Sequence, residues 1–328
     1  MHRFTQRHTT LQPFASTDAA QWDDFVHSAT NGTMFHLRRF LAYHPPERFT
    51  DHSLMLYENG GKTLKALFPA IDAVVDKDRV LYSHRGASYG GLVHQAMGIE
   101  DALRWVNALQ HYAKEQGFSK ILMTIPPLVY SQQPSNYLDF ALMKSGFRYQ
   151  KRELTAVLRL PTTIEGILPM FKQEARTATR KAMKQVTVRL SDDYATYYQI
   201  LSHNLMMRHG VTPTHSLAEL TTLAEFFPER IQLWAAYLGN QMIAGVVNFI
   251  TNNHVVLGFY ISDNKDFQEY RALNYIFYRI FEWCIQHQYA WYDFGTFTLN
   301  MEPNLGLGKF KETFGARGIF RDTLEVLL

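Results

Sequence analysis

The sequence predicts an α/β (α+β) protein made of two tandem domains of similar topology. Three observations carry this. Strand-like and helix-like patterns alternate along most of the 328 residues. The order of elements in the first half returns in the second. A hydrophobic content of 46% beside 19% charged residues fits a globular chain with a sizeable core, and the length allows two ordinary domains.

In chain order, residues 18–29 read as a capped helix with Trp22, Phe25 and Val26 on one face. Glu58-Asn59-Gly60-Gly61, between the apolar runs 54–57 and 64–71, is a hairpin signal. Residues 99–116 are helical, because Leu103, Val106, Leu109, Tyr112 and Ala113 share a face, and Gly117 ends the run. Residues 120–125 form a buried-type strand stopped by Pro126-Pro127. In the second half, 232–238 and 242–250 make a hairpin around Gly239-Asn240, and 254–261 add a third strand. Residues 270–287 are helical, with Leu273, Ile276, Phe277, Ile280, Phe281 and Cys284 in one stripe, and 291–294 are the next strand.

The repetition is specific in two places. Tyr57-Glu58-Asn59-Gly60 and Tyr237-Leu238-Gly239-Asn240 mark matching turns at an offset of 180. The helix-like stretches ending at Gly146 and Gly315 are each followed by a strand-like run, and these glycines are 169 apart. Order and type of elements therefore point to a repeat, with domains at 1–160 and 161–328 joined near Leu160-Pro161.

Composition excludes several function classes. A net charge of +3 is too small to argue for nucleic acid by itself. The single cysteine rules out an intramolecular disulfide and any multi-cysteine metal site, and its place in an apolar helical stripe makes it a core thiol. Fourteen histidines show no paired metal-ligand spacing; His203 and His209, six apart, fall on different helix faces, so no metal is expected. The opening residues, 1–8, have no apolar stretch behind them and do not read as a secretory signal. The most apolar region, 231–260, is broken by Gly239-Asn240-Gln241 and Asn252-Asn253, which reads as strands and not a membrane span. The expected compartment is the cytoplasm.

Lys172, Arg176, Arg180 and Lys184 are spaced by four across 169–185. On one continuous helix they would stack along a face about 18 Å long. Like charges at this spacing repel by a few tenths of a kcal/mol per pair, so the stripe suits an anionic ligand or is simply a solvated face. Ser83-His84-Arg85-Gly86-Ala87-Ser88-Tyr89-Gly90-Gly91 is a polar, Gly-rich loop, in which Arg85 and backbone amides suit a carboxylate or phosphate, or which merely connects two elements.

The last forty residues carry the densest signal. A strand-like segment ends in Tyr292-Asp293-Phe294-Gly295, followed by Leu305-Gly306-Leu307-Gly308-Lys309-Phe310-Lys311-Glu312-Thr313-Phe314-Gly315. Asp-Phe-Gly also occurs in kinases, but the ordered Gly-rich loop, Val-Ala-Ile-Lys strand and His-Arg-Asp loop are absent here. Asp293 at a strand's carboxyl end either faces a cleft or caps the next turn.

This tail, with Arg176-Thr177-Ala178-Thr179-Arg180-Lys181-Ala182-Met183-Lys184, resembles the FemABX-like branch of the GNAT-like acyltransferase superfamily. The likeness covers 165–328 well and 20–150 loosely; within the latter, Asn31 to Phe40 looks like the family's opening aromatic segment, with His36-Leu37 in place of the usual glutamine-serine pair. It implies two tandem GNAT-like domains, each a mixed, mostly antiparallel sheet flanked by helices. It implies acyl or aminoacyl transfer to an amine of a cell-envelope, sugar or peptide precursor. By resemblance, Arg176 matches the arginine that meets phosphates of a nucleotide-linked acceptor, with Arg180 and Lys184 following it on the stripe. Lys311 matches a lysine suited to hold an oxyanion, although a helix-start lysine is also a common surface residue. Asp293 would accept the amine's proton and Tyr260 would supply one to the leaving group, as the chemistry requires.

The donor is open between acyl-CoA and aminoacyl-tRNA. The place of the pyrophosphate loop found in coenzyme A users is Ile261-Ser262-Asp263-Asn264-Lys265-Asp266-Phe267-Gln268-Glu269-Tyr270-Arg271, which has no glycine and three acidic residues. The long helical arm of several tRNA-dependent Fem-type enzymes has no counterpart either. A non-catalytic anion- or nucleotide-binding module of the same fold is the alternative. The sequence leaves the oligomeric state open.

Overall fold

The computed structural model describes residues 9–45, 47–209 and 211–328, without the side chains of 208 and 209. Segment 1–8, read above against a leader, and the His209 side chain lie outside the described residues. The chain divides into two compact units, Met1–Arg152 with Phe320–Leu328, and Glu153–Ile319.

The first unit opens with β1 (Thr10–Pro13), α1 (Ala19–Ser28), α2 (Arg38–Leu41) and β2 (Thr50–Asp51). There follow β3 (Leu54–Glu58), β4 (Thr63–Phe68), β5 (Ile71–Val75), β6 (Asp78–Ser83) and β7 (Val93–His94). Then come α3 (Ile99–Glu115), β8 (Lys120–Thr124), α4 (Tyr137–Lys144) and β9 (Arg148–Arg159), which runs on into the second unit. Strands β1, β3, β4 and β7 form one antiparallel sheet, while β2, β5 and β6 continue through a parallel pairing of β6 with β8. The β3–β4 turn is tight because Asn59, Gly60 and Gly61 all take positive φ, which glycine and asparagine accept readily. Helix α3 buries Ala102, Trp105, Val106, Leu109 and Ala113; Val106, Leu109 and Ala113 are in the expected stripe, whose Leu103 and Tyr112 are only partly buried.

The second unit carries α5 (Ile167–Met170), α6 (Gln173–Ala182), β10 (Thr187–Ser191), α7 (Tyr194–His209) and α8 (Leu217–Phe226). Next are β11 (Ile231–Leu238), β12 (Gln241–Ile250), β13 (Val255–Asp263), α9 (Ala272–Gln286) and β14 (Trp291–Thr296). The short β15 (Thr298–Leu299) and β16 (Glu302–Pro303), α10 (Leu305–Glu312) and β17 (Arg317–Leu327) complete it. Its sheet runs β10, β11, β12, β13, β14, β9 and is antiparallel except for β13 beside β14. Strand β17 ends in the first unit, where Thr323–Leu327 pair antiparallel with Lys120–Thr124.

Both units are therefore mixed, mostly antiparallel sheets flanked by helices, as the sequence predicts. The repeat extends to irregularities. The β3–β4 ladder slips at Leu56/Tyr57 and the β11–β12 ladder at Ala236/Tyr237, again 180 residues apart. Gly146 and Gly315, which follow α4 and α10, both adopt left-handed φ. In the second unit the core is the α9 stripe against Tyr292, Phe294, Phe314 and Phe171. Cys284 belongs to it, fully buried, and burial pushes its thiol far above the usual range, so it is a packing residue.

One element differs from expectation. The basic stripe does not lie on one helix over 169–185. The backbone is extended at Phe171 (ψ 145°) and Lys172 (ψ 157°), so α6 starts only at Gln173, and it ends at Ala182 before Lys184. Like-charged side chains give a helix no apolar face to hold it, so the helix extends only as far as Ala175, Thr179 and Ala182 pack.

Candidate active site

The site is built on the two parallel strands of the second unit. Strands β13 and β14 pair only from Val255–Leu257 to Trp291–Asp293. A register shift explains the parting: Asn248 on β12 faces Gly258 while its neighbour Val247 faces Tyr260, so Phe259 is an extra residue that bends β13. Gly258 is required at the bend. A Cβ there would stand 2.4 Å from Tyr292 Oη, which crosses the space to donate to Asn248 Oδ1 at 2.8 Å.

Asp293 occupies the last position of β14 that pairs with β13 and is fully buried. It lies inside the strand, two residues before the left-handed Gly295. Its Oδ1 accepts the Thr155 hydroxyl and the Gly295 N–H, the latter at 2.8 Å, so the carboxylate holds the turn of its own strand. Lys311 reaches the same place from α10. It is 2% exposed, and its Nζ donates to Gly295 O at 2.8 Å and Thr296 O at 2.9 Å. Burial draws its pKa down to about 8, and the negative charge of Asp293 acts in the opposite direction. The structure thus brings Asp293 and Lys311 together, around carbonyls that the parting of the strands leaves free.

A cavity of about 460 Å³ opens at the end of β13. Ile261 and Asp263 form one wall, Gln268, Arg271 and the start of α9 (Ala272, Leu273, Asn274) a second, and Asn304, Gly306, Leu307 and Phe310 of the α10 segment a third. Arg271 is left-handed, with φ 55°, and directly precedes α9, whose first N–H groups give this wall a positive end. Asn204 of α7 also lines the cavity. Its Nδ2 donates to Ser262 Oγ at 2.8 Å, and its Oδ1 has no hydrogen-bond partner among the described residues. Asn204 and Arg271 carry no recognisable motif. The only sequence signal for this wall is its position after a strand and before a long helix.

Neither Asp293 nor Lys311 lines that cavity, although Phe310, the neighbour of Lys311 on α10, does; none of the remaining sequence candidates lines it either. Tyr260 is not among the residues that line it. Its hydroxyl oxygen takes the His215 backbone N–H at 3.1 Å and lies 2.8 Å from His215 Nδ1, and burial pushes its pKa up to about 12. His215, which the sequence reading missed, is 45 residues away in the chain. Arg176 is half-buried and turned back on its own segment, where Nη2 donates to Phe171 O at 3.1 Å and Pro169 O at 3.4 Å. Arg180 is exposed on α6, and Lys184 is exposed beyond its end. Arg85 is exposed in the loop after β6, in the first unit. Among the described residues no group of three His, Cys, Asp or Glu side chains is placed to hold a metal, and no helix is long and apolar enough to cross a membrane.

Comparison with known proteins agrees with this architecture. Residues 170–310 match the family model described as an acetyltransferase (GNAT) domain. The crystal structure of FemX is similar over 97% of each chain, with a TM-score of 0.73 at 13% identity. The C-terminal domain of a putative lysylphosphatidylglycerol synthetase from Agrobacterium fabrum covers 94% of this chain and 91% of its own, with TM-score 0.59 and 12% identity. A tandem GNAT protein from the clavulanic acid biosynthesis pathway matches over 98% of each chain, with TM-score 0.54 and 11% identity. No curated protein matches the sequence. At these identities the structural likeness is one of fold. Residues 170–310 are thus a GNAT acetyltransferase domain, and the chain as a whole has the fold of FemX and of a tandem GNAT protein, two GNAT-like units in succession.

Proposed function

We propose that this acyltransferase forms an amide, moving an acyl or aminoacyl group onto the amine of a sugar- or peptide-type precursor of the cell envelope, in the cytoplasm. The observation that carries the reading is the parting of β13 and β14, with Asp293 and Lys311 buried at the point of divergence and Phe310, next to Lys311 on α10, lining the cavity at the end of β13. In the reaction the amine nitrogen bonds to the acyl carbon, the carbon–sulfur or carbon–oxygen bond of the donor breaks, and the amine's proton ends on the leaving group.

Asp293 is assigned as a positioning residue and Lys311 as the holder of the oxyanion. Lys311 fastens the carbonyls of Gly295 and Thr296, and Asp293 fixes the Gly295 N–H and balances the ammonium. The third N–H of Lys311 is its contribution to a developing oxyanion. Tyr260, protonated across neutral pH, is the proton source, with His215 beside it. Arg271 and the first N–H groups of α9 are assigned to phosphates of an acyl-CoA donor. Arg180, Lys184 and Arg176 are the basic side chains of the second unit assigned to an anionic, nucleotide-linked acceptor. We read the halves 1–160 and 161–328 as the two repeats of one ancestral domain.

The glycine-free loop before α9, with Asp263, Asp266 and Glu269, favours aminoacyl-tRNA as the second donor reading. Titration calorimetry with acetyl-CoA and coenzyme A, on wild type and Arg271→Ala, tests the first. Micromolar binding weakened at least tenfold by the substitution is expected. No binding up to millimolar concentration overturns the coenzyme A donor, and transfer to amines from aminoacyl-tRNA then decides the second. If neither donor acylates any amine, the protein is an anion-binding module instead.

A further inference from the structure

We propose that the ligand of the second-unit cavity carries an extended apolar chain of the fatty-acyl class, laid across the surface formed by the β15–β16 hairpin and the start of α10. This deepens the acyl-transfer reading above, on which it rests for the chemistry at the reacting end. Leu299, Met301, Leu305 and Leu307 are 74%, 58%, 67% and 36% exposed, four large apolar side chains within nine residues. Leu307 also lines the cavity, so the outer patch is continuous with the inner wall, which Phe310, Leu273 and Ile261 carry further in. Met207, exposed on α7, is one turn beyond Asn204 on the same helix face.

The backbone that presents these side chains is fixed. Glu153, 8% exposed, accepts the Met301 N–H at 3.3 Å and the Thr298 hydroxyl, and Thr298 Oγ1 accepts the Leu154 N–H at 2.8 Å. Asn304 caps α10 by accepting the Leu307 N–H at 3.0 Å. Gly308 lets α10 press onto Phe297, whose ring would lie 3.0 Å from a Cβ at that position. A buried carboxylate and a cap therefore hold an apolar surface toward solvent, a combination that favours a ligand over chance exposure. The occupant is a neutral chain and not an anionic membrane surface, because residues 299–308 contain one acidic side chain, Glu302, and no basic one.

The test is a chain-length series. Acyl-CoA thioesters from two to twelve carbons, and the matching free fatty carboxylates below their micelle concentrations, are titrated into wild type and into a Met301→Asp/Leu305→Asp variant. The proposal expects affinity to rise about fourfold per added methylene in at least one series until the surface is covered. It expects the variant to flatten that rise while binding of the shortest member is unchanged. If only the carboxylates show the rise, the coenzyme A donor fails and the chain site stands. If acetyl-CoA binds but neither series depends on length, the chain site is wrong and the acyl-transfer reading survives. A length dependence unaltered by the variant also overturns the site. So does sedimentation showing that wild type self-associates through this face and the variant does not, with no length dependence in either.

Discussion

Replacing Lys311 by methionine probes the centre of the site most directly. The side chains are similar in length, so the packing of α10 is nearly preserved and the ammonium alone is removed. In wild type that ammonium satisfies two carbonyl oxygens, at 2.8 Å and 2.9 Å, and faces the buried Asp293. Removal leaves both carbonyls without their donor, at about 1–3 kcal/mol for each buried group left unpaired, and Asp293 without its counter-charge. Breaking a buried pair by deleting one partner costs about 3–5 kcal/mol in total. The double variant Lys311→Met/Asp293→Asn removes the orphan charge, so it should recover at least about 1.5 kcal/mol of that loss. Urea unfolding at pH 7, followed by tryptophan fluorescence, measures the cycle.

Titration adds an independent check. Lys311 has a folded pKa of about 8, below the ordinary 10.5. Between those values the unfolded chain binds the proton and the folded one does not, so stability rises with pH, by about 3 kcal/mol across the window. The burial cost is fully present below pH 8 and relieved above 10.5. Lys311→Met should lack this rise. Additive effects in the cycle, or an alkaline rise undiminished in Lys311→Met, would refute the idea that Lys311 and Asp293 act as one buried unit.

Three further outcomes follow from the same geometry. Burial holds His36 at a pKa of about 3 and His84 at about 4, both below the ordinary 6.5, so their neutral forms are bound in the folded state. Their contribution is intact above pH 6.5 and lost as pH falls, at about 1.4 kcal/mol per unit for each; hydrogen exchange of the first unit should report about 4 kcal/mol less stability at pH 5, reduced in a His36→Asn/His84→Leu variant. Gly258→Ala forces a Cβ against Tyr292 Oη and should cost about 1–3 kcal/mol in thermal melting, recovered in part by Tyr292→Phe. Arg271→Gly relieves a left-handed non-glycine backbone and should stabilise by about 1 kcal/mol, yet weaken any phosphate-bearing donor as Arg271→Ala does.

The parts of this fold legible in the sequence are those whose signal is local. Asn59-Gly60-Gly61 announces its turn because few residues adopt that backbone, and α3 and α9 show their buried stripes because one face of each meets a single core. Helices α7 and α8 escaped notice for the opposite reason. Tyr197, Leu201 and Asn204 of α7 are buried at helical spacing, but its three tyrosines and the exposed Met206 and Met207 blur the periodicity on which such readings depend.

The site divides along the same line. Asp293 and Lys311 stand out in sequence as charged residues in a Gly- and Phe-rich tail, but the sequence alone left Lys311 divided between a surface residue and an oxyanion holder. Its burial follows from the parting of β13 and β14, which exposes the carbonyls of Gly295 and Thr296 inside the protein and so creates a place for a cation. The basic stripe shows the reverse error. A regular spacing of charges suggested one long surface, yet charges do not hold a helix together, and the packing of Ala175, Thr179 and Ala182 set its length instead. What a charged residue does in this chain is decided by which backbone groups the sheet leaves unpaired. That is a tertiary property, so spacing locates the chemistry and only the fold assigns it.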